Sequence, residues 1–248
     1  MLRHTLFGLA IMLASSANHA QTSDEVLLYF TGRPPFIWQD EQGVIHGISY
    51  EIGNQVFTLA NIPFRWIRAP SLRVQKYFEE DQEPLCLVNW INTKERSELG
   101  RVSLPTYLEG DYVAVMPKEN TERFKHHALS QILQDKTVTV LIKGGYAYST
   151  VLMDLFINMQ AKAIDLRGDQ QHNLMLLAEK RADIGFFEQQ ELELFIKTNP
   201  LLTEKVAIIR YDEINASPTM RHIICSKSVT EEQMLRINAA IKELKLPH

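Results

Sequence analysis

The chain has 248 residues and a formal net charge of −4, from 26 Lys and Arg against 30 Asp and Glu. Its 45% hydrophobic and 23% charged residues are typical of a globular protein, and its length allows one large domain or two lobes of about a hundred residues each. Because nucleic-acid binding needs a clustered basic face and the sequence shows none, these values argue against a nucleic-acid partner.

Residues 1–20 have the three parts of a secretory signal peptide. Arg3 supplies an early cation, residues 6–14 form an apolar run, and small residues follow. The run is too short to span a bilayer comfortably. We predict a mature chain that begins near Gln21, with cleavage after Ala17 and an uncleaved membrane anchor as the alternatives.

The first half of the mature chain predicts strands and helices in alternation. In chain order they are the strand EVLLYF, the loop TGRPPFIW, the helix YEIGNQVFTLAN, the strand FRWI, the helix SLRVQKYFEE and the strand PLCLVNW. A polar turn that carries Arg96 follows, and the strand DYVAVM then begins a second series.

The second series repeats this alternation more clearly. It consists of the strand TVTVLI, the loop KGGYAYS, the helix TVLMDLFINMQ, the strand AIDL, the helix HNLMLLAEKR, the strand ADIGFF and the helix EQQELELFIK. Such alternation predicts parallel α/β units. Two late strands, VAIIRY and HIICS, precede a last helix. That helix begins at Thr230, whose spacing to Gln233 fits a capping box, and it buries Met234, Ile237, Ile241 and Leu244.

Two cysteines, Cys86 and Cys225, lie inside apolar runs. In an exported protein such a pair permits one disulfide that closes a long loop. The alternative is two buried free thiols that pack as small apolar residues.

Four polar loops follow predicted strands, two in each series: TGRPPFIW, NWINTKER, KGGYAYS and FFEQQ. Ligands of open α/β sheets bind beyond the carboxyl ends of the strands, so these loops predict a cleft between two lobes. Arg96 is suited to clamp a carboxylate there, and its alternative is a surface ion pair with Glu95 or Glu98. Glu188 could accept from an ammonium group, and Gly144 and Gly145 leave backbone N–H groups open to an anion.

Aromatic residues also occur at the predicted strand ends and cleft loops: Trp38, Trp90, Tyr107 and Tyr146. A flat ring there could stack on a ligand, and the alternative for each is ordinary packing. Trp90 and Tyr146 are the favoured candidates because each adjoins a motif already placed at the cleft.

Enzymatic motifs are missing from the sequence. KGGYAYS lacks the ending of a phosphate-binding loop, no Gly-x-Ser-x-Gly elbow occurs, and the eight histidines show no metal-ligand spacing. We therefore predict a protein without catalytic activity, metal or cofactor.

Three segments carry a family resemblance: GISYEIGNQVF, NTKERSELGRVSLPTYLEGDYVAV and LLAEKRADIGFFEQQEL. They resemble the family 3 extracellular solute-binding proteins, the periplasmic receptors of polar amino acid ABC transporters. The matching positions are Gly47 and Glu51 in the first segment, Thr93, Glu95, Arg96, Pro105 and Tyr107 in the second, and Leu177, Arg181, Asp183 and Glu188 in the third.

The resemblance implies an α/β protein of the type II periplasmic binding class, with two lobes that close like a Venus flytrap. Each lobe would be a sheet flanked by helices, and two hinge strands would join them near residues 110–113 and 217–222. We expect lobe 1 to span residues 21–110 plus 219–248 and lobe 2 to span residues 111–218. Arg96 would then hold the α-carboxylate of the ligand, and Glu188 its amino group.

The implied function is periplasmic capture of an amino acid or related carboxylate by a monomer that delivers it to the membrane permease of an ABC transporter. One alternative is a sensory module of the same fold that passes the ligand to a membrane receptor. Another is a dehydratase, because a few members of the family are dehydratases.

Several positions depart from the family pattern. Asn89 and Ile91 stand where amino acid receptors often have Gly and Thr, and Glu188 is one methylene longer than the usual Asp. Arg33 precedes Phe36 where an aromatic platform is common, and Arg73 lies in a helix that often supplies a wall of the site. Both arginines are candidate ligand contacts that would favour a more acidic ligand, with exposed cations as the alternative.

Overall fold

The computed structural model describes residues 25–166 and 169–247, so the predicted signal peptide lies outside the described residues. The strands of the described part are β1 (Val26–Phe30), β2 (Trp38–Gln39), β3 (Ile45–His46), β4 (Phe64–Arg68), β5 (Leu85–Ile91), β6 (Gly100–Leu108), β7 (Tyr112–Pro117), β8 (Thr139–Lys143), β9 (Lys162–Leu166), β10 (Ile184–Glu188), β11 (Val206–Ile209) and β12 (Met220–Ser226).

Helices connect most of these strands. They are α1 (Ile48–Leu59), α2 (Ser71–Glu80), α3 (Lys94–Leu99), α4 (Thr121–Phe124), α5 (Leu129–Leu133), α6 (Thr150–Asn158), α7 (Gln170–Ala178), α8 (Gln189–Thr198), α9 (Leu202–Lys205) and α10 (Glu231–Glu243). No helix formed by residues 25–166 or 169–247 has the length and apolar character needed to cross a bilayer.

The strands form two five-stranded sheets and a small β2–β3 ribbon. The first sheet has the order β4-β1-β5-β12-β6, in which β1 is parallel to β4 and β5, and β12 is antiparallel to β5 and β6. The second sheet has the order β11-β7-β10-β8-β9 and contains the parallel pairs β8–β9 and β8–β10. The alternation of strands and helices in the sequence therefore predicted the parallel units correctly.

The chain passes between the sheets twice, from β6 to β7 and from β11 back to β12. The two crossings lie side by side, because the Glu109 N–H donates to the Thr219 carbonyl oxygen over 2.9 Å. On the second sheet's side, the Gln189 N–H donates to the Asp111 carbonyl oxygen, also over 2.9 Å. The C-terminal α10 consequently packs against the first sheet, beside α1.

Of the two possibilities left open for Cys86 and Cys225, the structure has the disulfide. The two cysteines are register partners on the adjacent antiparallel strands β5 and β12, and both are fully buried. The capping box of α10 is confirmed, since Thr230 Oγ1 accepts from the Gln233 N–H over 3.1 Å, and Gln233 accepts from the Thr230 N–H over 2.9 Å.

The segment predicted as a polar turn around Arg96 is instead the short helix α3. Thr93 precedes the helix in an extended conformation, and its side chain accepts from the Arg96 N–H over 3.2 Å. This bond satisfies one of the N–H groups that a helix start leaves without a partner. Arg96 therefore lies on a capped helix at the carboxyl end of β5.

Candidate functional site

A cavity of about 640 Å³, including solvent at its mouth, lies where β1, β5 and β8 end. Phe30, Thr31 and Arg33 line it from the β1 side, and Lys143 lies at the end of β8. The carboxyl ends of strands from both sheets thus meet at one cavity, as expected for a ligand site in open α/β sheets.

The structure brings most of the predicted ligand contacts together in this cavity. The predicted residues that line it are Arg33, Asn89, Trp90, Ile91, Arg96, Gly145 and Tyr146. Three others are placed elsewhere. Gly144 lines a neighbouring surface groove, and Arg73 is exposed on α2. Glu188 is fully buried, because its side chain folds back to cap α8 and Oε2 accepts from the Glu191 N–H over 2.9 Å.

Arg96 extends along the wall of the cavity and is held by two contacts. Its Nη1 donates to the Ile91 carbonyl oxygen over 2.7 Å, and its guanidinium carbon lies 4.4 Å from the centre of the Trp90 ring. Burial, followed by repulsion from Arg221, lowers the pKa of Arg96 to about 10. No ion pair joins Arg96 to a described carboxylate, and the ion pair found in α3 is between Lys94 and Glu98, 3.9 Å apart. The guanidinium is therefore positioned to bind an anion in the cavity.

Arg33 is also buried at the cavity, but its charge is balanced. Its guanidinium carbon lies 4.3 Å from the centre of the Phe36 ring and 5.1 Å from that of Tyr146. Its Nη2 lies 2.8 Å from Glu109 Oε1 and 3.3 Å from Glu191 Oε2. The first carboxylate follows β6 and the second lies in α8, so Arg33 connects the two sheets. The alternative of an exposed cation is excluded by its 9% exposure.

Glu109 has a second partner, Arg221, with which it forms a close ion pair. Burial by itself would raise the pKa of Glu109, but Arg221 and Arg33 outweigh it and hold the pKa below the ordinary value. Arg221 also donates from Nη1 to the Asn89 carbonyl oxygen over 2.8 Å. These residues form one connected ion-pair group beside the two chain crossings.

The amide of Asn89 is engaged within the protein. Its Nδ2 donates to Ser49 Oγ over 3.1 Å, and its Oδ1 accepts from Thr106 Oγ1 over 2.7 Å. The residue has a φ of 57°, a left-handed conformation that Asn tolerates better than most residues. Asn89 therefore mainly stabilises the end of β5, and its amide is less available for hydrogen bonds with a ligand in the cavity.

Four charged residues near the site were missed by the sequence analysis: Glu109, Lys143, Glu191 and Arg221. Lys143 ends β8 directly before the two glycines of KGGYAYS, and Arg221 is a cation inside a strand that is otherwise mostly apolar. The sequence feature that could have identified these two residues is a charge at the end of an apolar strand or inside one. Burying an isolated charge is costly unless the charge has a functional role or a partner.

Comparisons with protein-family models and with curated proteins find no match. Solved structures do match. Holo ArgBP from T. maritima superposes with a TM-score of 0.69 at 18% identity, covering 90% of this chain and 91% of the other. For the amino acid ABC transporter substrate-binding protein AbpA from Streptococcus pneumoniae, bound to L-arginine, the TM-score is 0.67 at 17% identity, with 90% and 89% covered.

A third match is the ancestral amino acid-binding protein AncCDT-1, a precursor of cyclohexadienyl dehydratase, with a TM-score of 0.68 at 14% identity, covering 90% of this chain and 89% of the other. The chain shares the two-lobed fold of these binding proteins. The predicted fold class is thereby confirmed, and the cavity of this binding-protein fold lies between its two lobes.

No group of three or more His, Cys, Asp or Glu residues in the described part of the chain is arranged to hold a metal ion. The side chains that line the cavity offer cationic groups, hydroxyl groups and aromatic rings. These groups suit the binding of a small anionic or polar molecule.

Proposed function

We propose that this protein captures a small solute carrying a carboxylate, such as an amino acid or a related carboxylate, between its two lobes and delivers it to the permease of an ABC transporter. The proposal is supported by the fold shared with AbpA, which is described as an amino acid ABC transporter substrate-binding protein. It places the mature protein in the periplasm, as a monomer.

The observation that carries the proposal is the state of Arg96. Its guanidinium faces the cavity, stacks on Trp90 and has no ion-pair partner among the described residues. A planar guanidinium offers parallel donors that match a carboxylate with two charge-assisted hydrogen bonds. A ligand carboxylate would thus supply the counter-charge that no described residue provides.

Lobe boundaries at residues 21–110 plus 219–248 and residues 111–218 are part of this proposal. Their support is that strands β1, β4, β5, β6 and β12 form one sheet, whereas β7 to β11 form the other. Closure of the lobes requires a ligand that binds the closed state better than the open state. Such a ligand must touch Arg96 on one lobe and groups of the opposite lobe.

The proposed role is binding without chemical change to the ligand. The alternative role for this fold is that of a dehydratase. The likeness to AncCDT-1, a precursor of cyclohexadienyl dehydratase, is the reason to test it. Incubation of the purified protein with a bound carboxylate, followed by mass spectrometry, should recover the ligand unchanged. Loss of water from the ligand would overturn the binding-only role.

The decisive experiment is isothermal titration of the exported protein with the carboxylates that raise its melting temperature in a thermal-shift screen. Arg96→Ala should weaken binding by about 2 to 4 kcal/mol, because two charge-assisted hydrogen bonds are lost. Arg73→Ala is the matched control, since Arg73 is exposed and lies outside the cavity. Equal affinity of the Arg96→Ala variant and the control would contradict the proposed role of Arg96 in binding the ligand carboxylate.

A further inference from the structure

The cavity contains more positive than negative charge. Four cationic side chains line it: Arg33, Arg96, Lys143 and Arg221. Two buried carboxylates, Glu109 and Glu191, lie behind the wall and form ion pairs with Arg33 and Arg221. After this pairing, two of these cations contact no carboxylate within residues 25–166 and 169–247. They are Arg96, on the lobe that carries β5, and Lys143, on the lobe that carries β8.

Lys143 is held with its ammonium group against the cavity. The residue is only 7% exposed, and Nζ lies 5.3 Å from the centre of the Tyr146 ring. Burial lowers its pKa, which Glu191 and Asp169 oppose at longer range and Arg33 reinforces. No described carboxylate forms an ion pair with Lys143, as none does with Arg96. A buried ammonium without a contacting anion is costly unless a ligand supplies one.

The described residues of the cavity wall include no carboxylate that could bind a ligand ammonium. Among the described residues that line the cavity, none is Asp or Glu. Glu188, the residue predicted to bind an amino group, is fully buried at the start of α8 and contacts the Glu191 N–H instead. The cavity therefore repels a cationic group and attracts a second anionic one.

We propose that the ligand of this site is a dicarboxylate without an ammonium group, with one carboxylate on Arg96 and the other on Lys143. This inference rests on the proposed function, because it names the substrate class of the same cleft. A dianion matches these two cations, which contact no described carboxylate, and it would connect the lobes because Arg96 follows β5 of one sheet and Lys143 ends β8 of the other. Bridging gives the ligand a higher affinity for the closed state and so favours closure.

The test uses pairs of ligands that differ by one group. Succinate and butyrate have the same chain length and differ by one carboxylate, whereas glutarate and L-glutamate differ by the ammonium group. Titration calorimetry on the full exported chain should find succinate bound at least about tenfold more tightly than butyrate, and glutarate more tightly than L-glutamate. L-Arginine, which has a guanidinium where L-glutamate has its second carboxylate, should bind weakest.

Variants of Lys143 connect this preference to one side chain. Lys143→Met should reduce the ratio of succinate to butyrate affinity to about one, and Lys143→Arg, which keeps the charge, should retain most of it. Lys162→Met is the control, because Lys162 is exposed on β9 of the same sheet, and it should leave the ratio unchanged. Melting temperatures of all three variants identify any that do not fold, in which case Lys143→Arg and the unmodified protein still give the ligand ratios.

The outcomes separate this inference from the proposed function. Equal binding of succinate and butyrate, or tighter binding of L-glutamate than of glutarate, would overturn the dicarboxylate while leaving carboxylate capture in place. An unchanged ratio in a folded Lys143→Met variant would also overturn it. If none of these carboxylates and no other carboxylate binds, the proposed function fails and the inference fails with it.

Discussion

Arg33 and Glu191 form a buried ion pair that joins the two lobes across the cleft. Arg33 Nη2 lies 3.3 Å from Glu191 Oε2, although the two residues are 158 positions apart in the chain. Arg33 follows β1 of the first sheet, and Glu191 lies in the first turn of α8, beside the second sheet. The contact therefore exists only when the lobes approach each other as they do in this structure.

Loss of this ion pair should destabilise the protein. We expect Glu191→Gln to lower the free energy of unfolding by about 2 kcal/mol, measured by urea denaturation. The value is below the usual cost of removing one partner of a buried pair, because Arg33 keeps its 2.8 Å contact with Glu109. Small-angle scattering should also show a larger radius of gyration for the variant without ligand.

Glu193→Gln is the matched control for that experiment. Glu193 lies on the same helix, is exposed, and accepts a hydrogen bond from Gln189 on the surface. Its replacement should leave the unfolding free energy within about 0.5 kcal/mol of the unmodified protein. Equal stability of the two variants would mean that the Arg33–Glu191 contact contributes nothing to holding the lobes together.

Glu188 should make stability depend on pH. Burial raises its pKa from the ordinary 4.5 to about 7, against the opposing hydrogen bond from the Glu191 N–H and the attraction of Arg33. Between pH 4.5 and about pH 7, Glu188 keeps its proton in the folded protein but has released it in the unfolded chain. Stability therefore decreases as pH rises through this window, by an amount on the order of 2 kcal/mol, and levels off above it.

Glu188→Gln isolates this contribution, because Gln keeps an oxygen that can accept from the Glu191 N–H but does not titrate. Urea denaturation at pH 5 and at pH 7.5 should show a smaller loss of stability in the variant than in the unmodified protein. The difference between the two proteins cancels the contribution of other groups, including Glu191, whose pKa burial also raises. Identical pH dependence would contradict the assignment to Glu188.

The disulfide should account for a large part of the stability of the first sheet. It closes a loop between cysteines 139 positions apart, and removing such a crosslink increases the entropy of the unfolded chain. We expect the double variant Cys86→Ala/Cys225→Ala to lose about 4 kcal/mol in urea unfolding. Because both cysteines are fully buried, a reductant should have no effect on the unmodified protein until it unfolds. An unchanged unfolding midpoint in the double variant would contradict this prediction.

Local patterns in the sequence were sufficient for most of the secondary structure. The buried strand predicted from the apolar run PLCLVNW and the capping box at Thr230 depend on neighbours within a few residues, and both are present in the structure. The segment around Arg96 was misjudged as a turn. The hydrogen bond between the Thr93 side chain and the Arg96 N–H stabilises a helix that is too short to show a clear apolar period.

The sequence by itself determined the α/β class, the two series of strands and the position of Arg96 near a strand end, whereas the structure decided that Cys86 and Cys225 are joined. Only the tertiary structure decided which charges face the cavity. Arg33 and Arg221 are neutralised by Glu109 and Glu191, which lie far away in the chain, whereas Lys143 contacts no carboxylate in the described part of the chain. Ion pairing depends on distances between distant segments, and a one-dimensional pattern does not contain those distances.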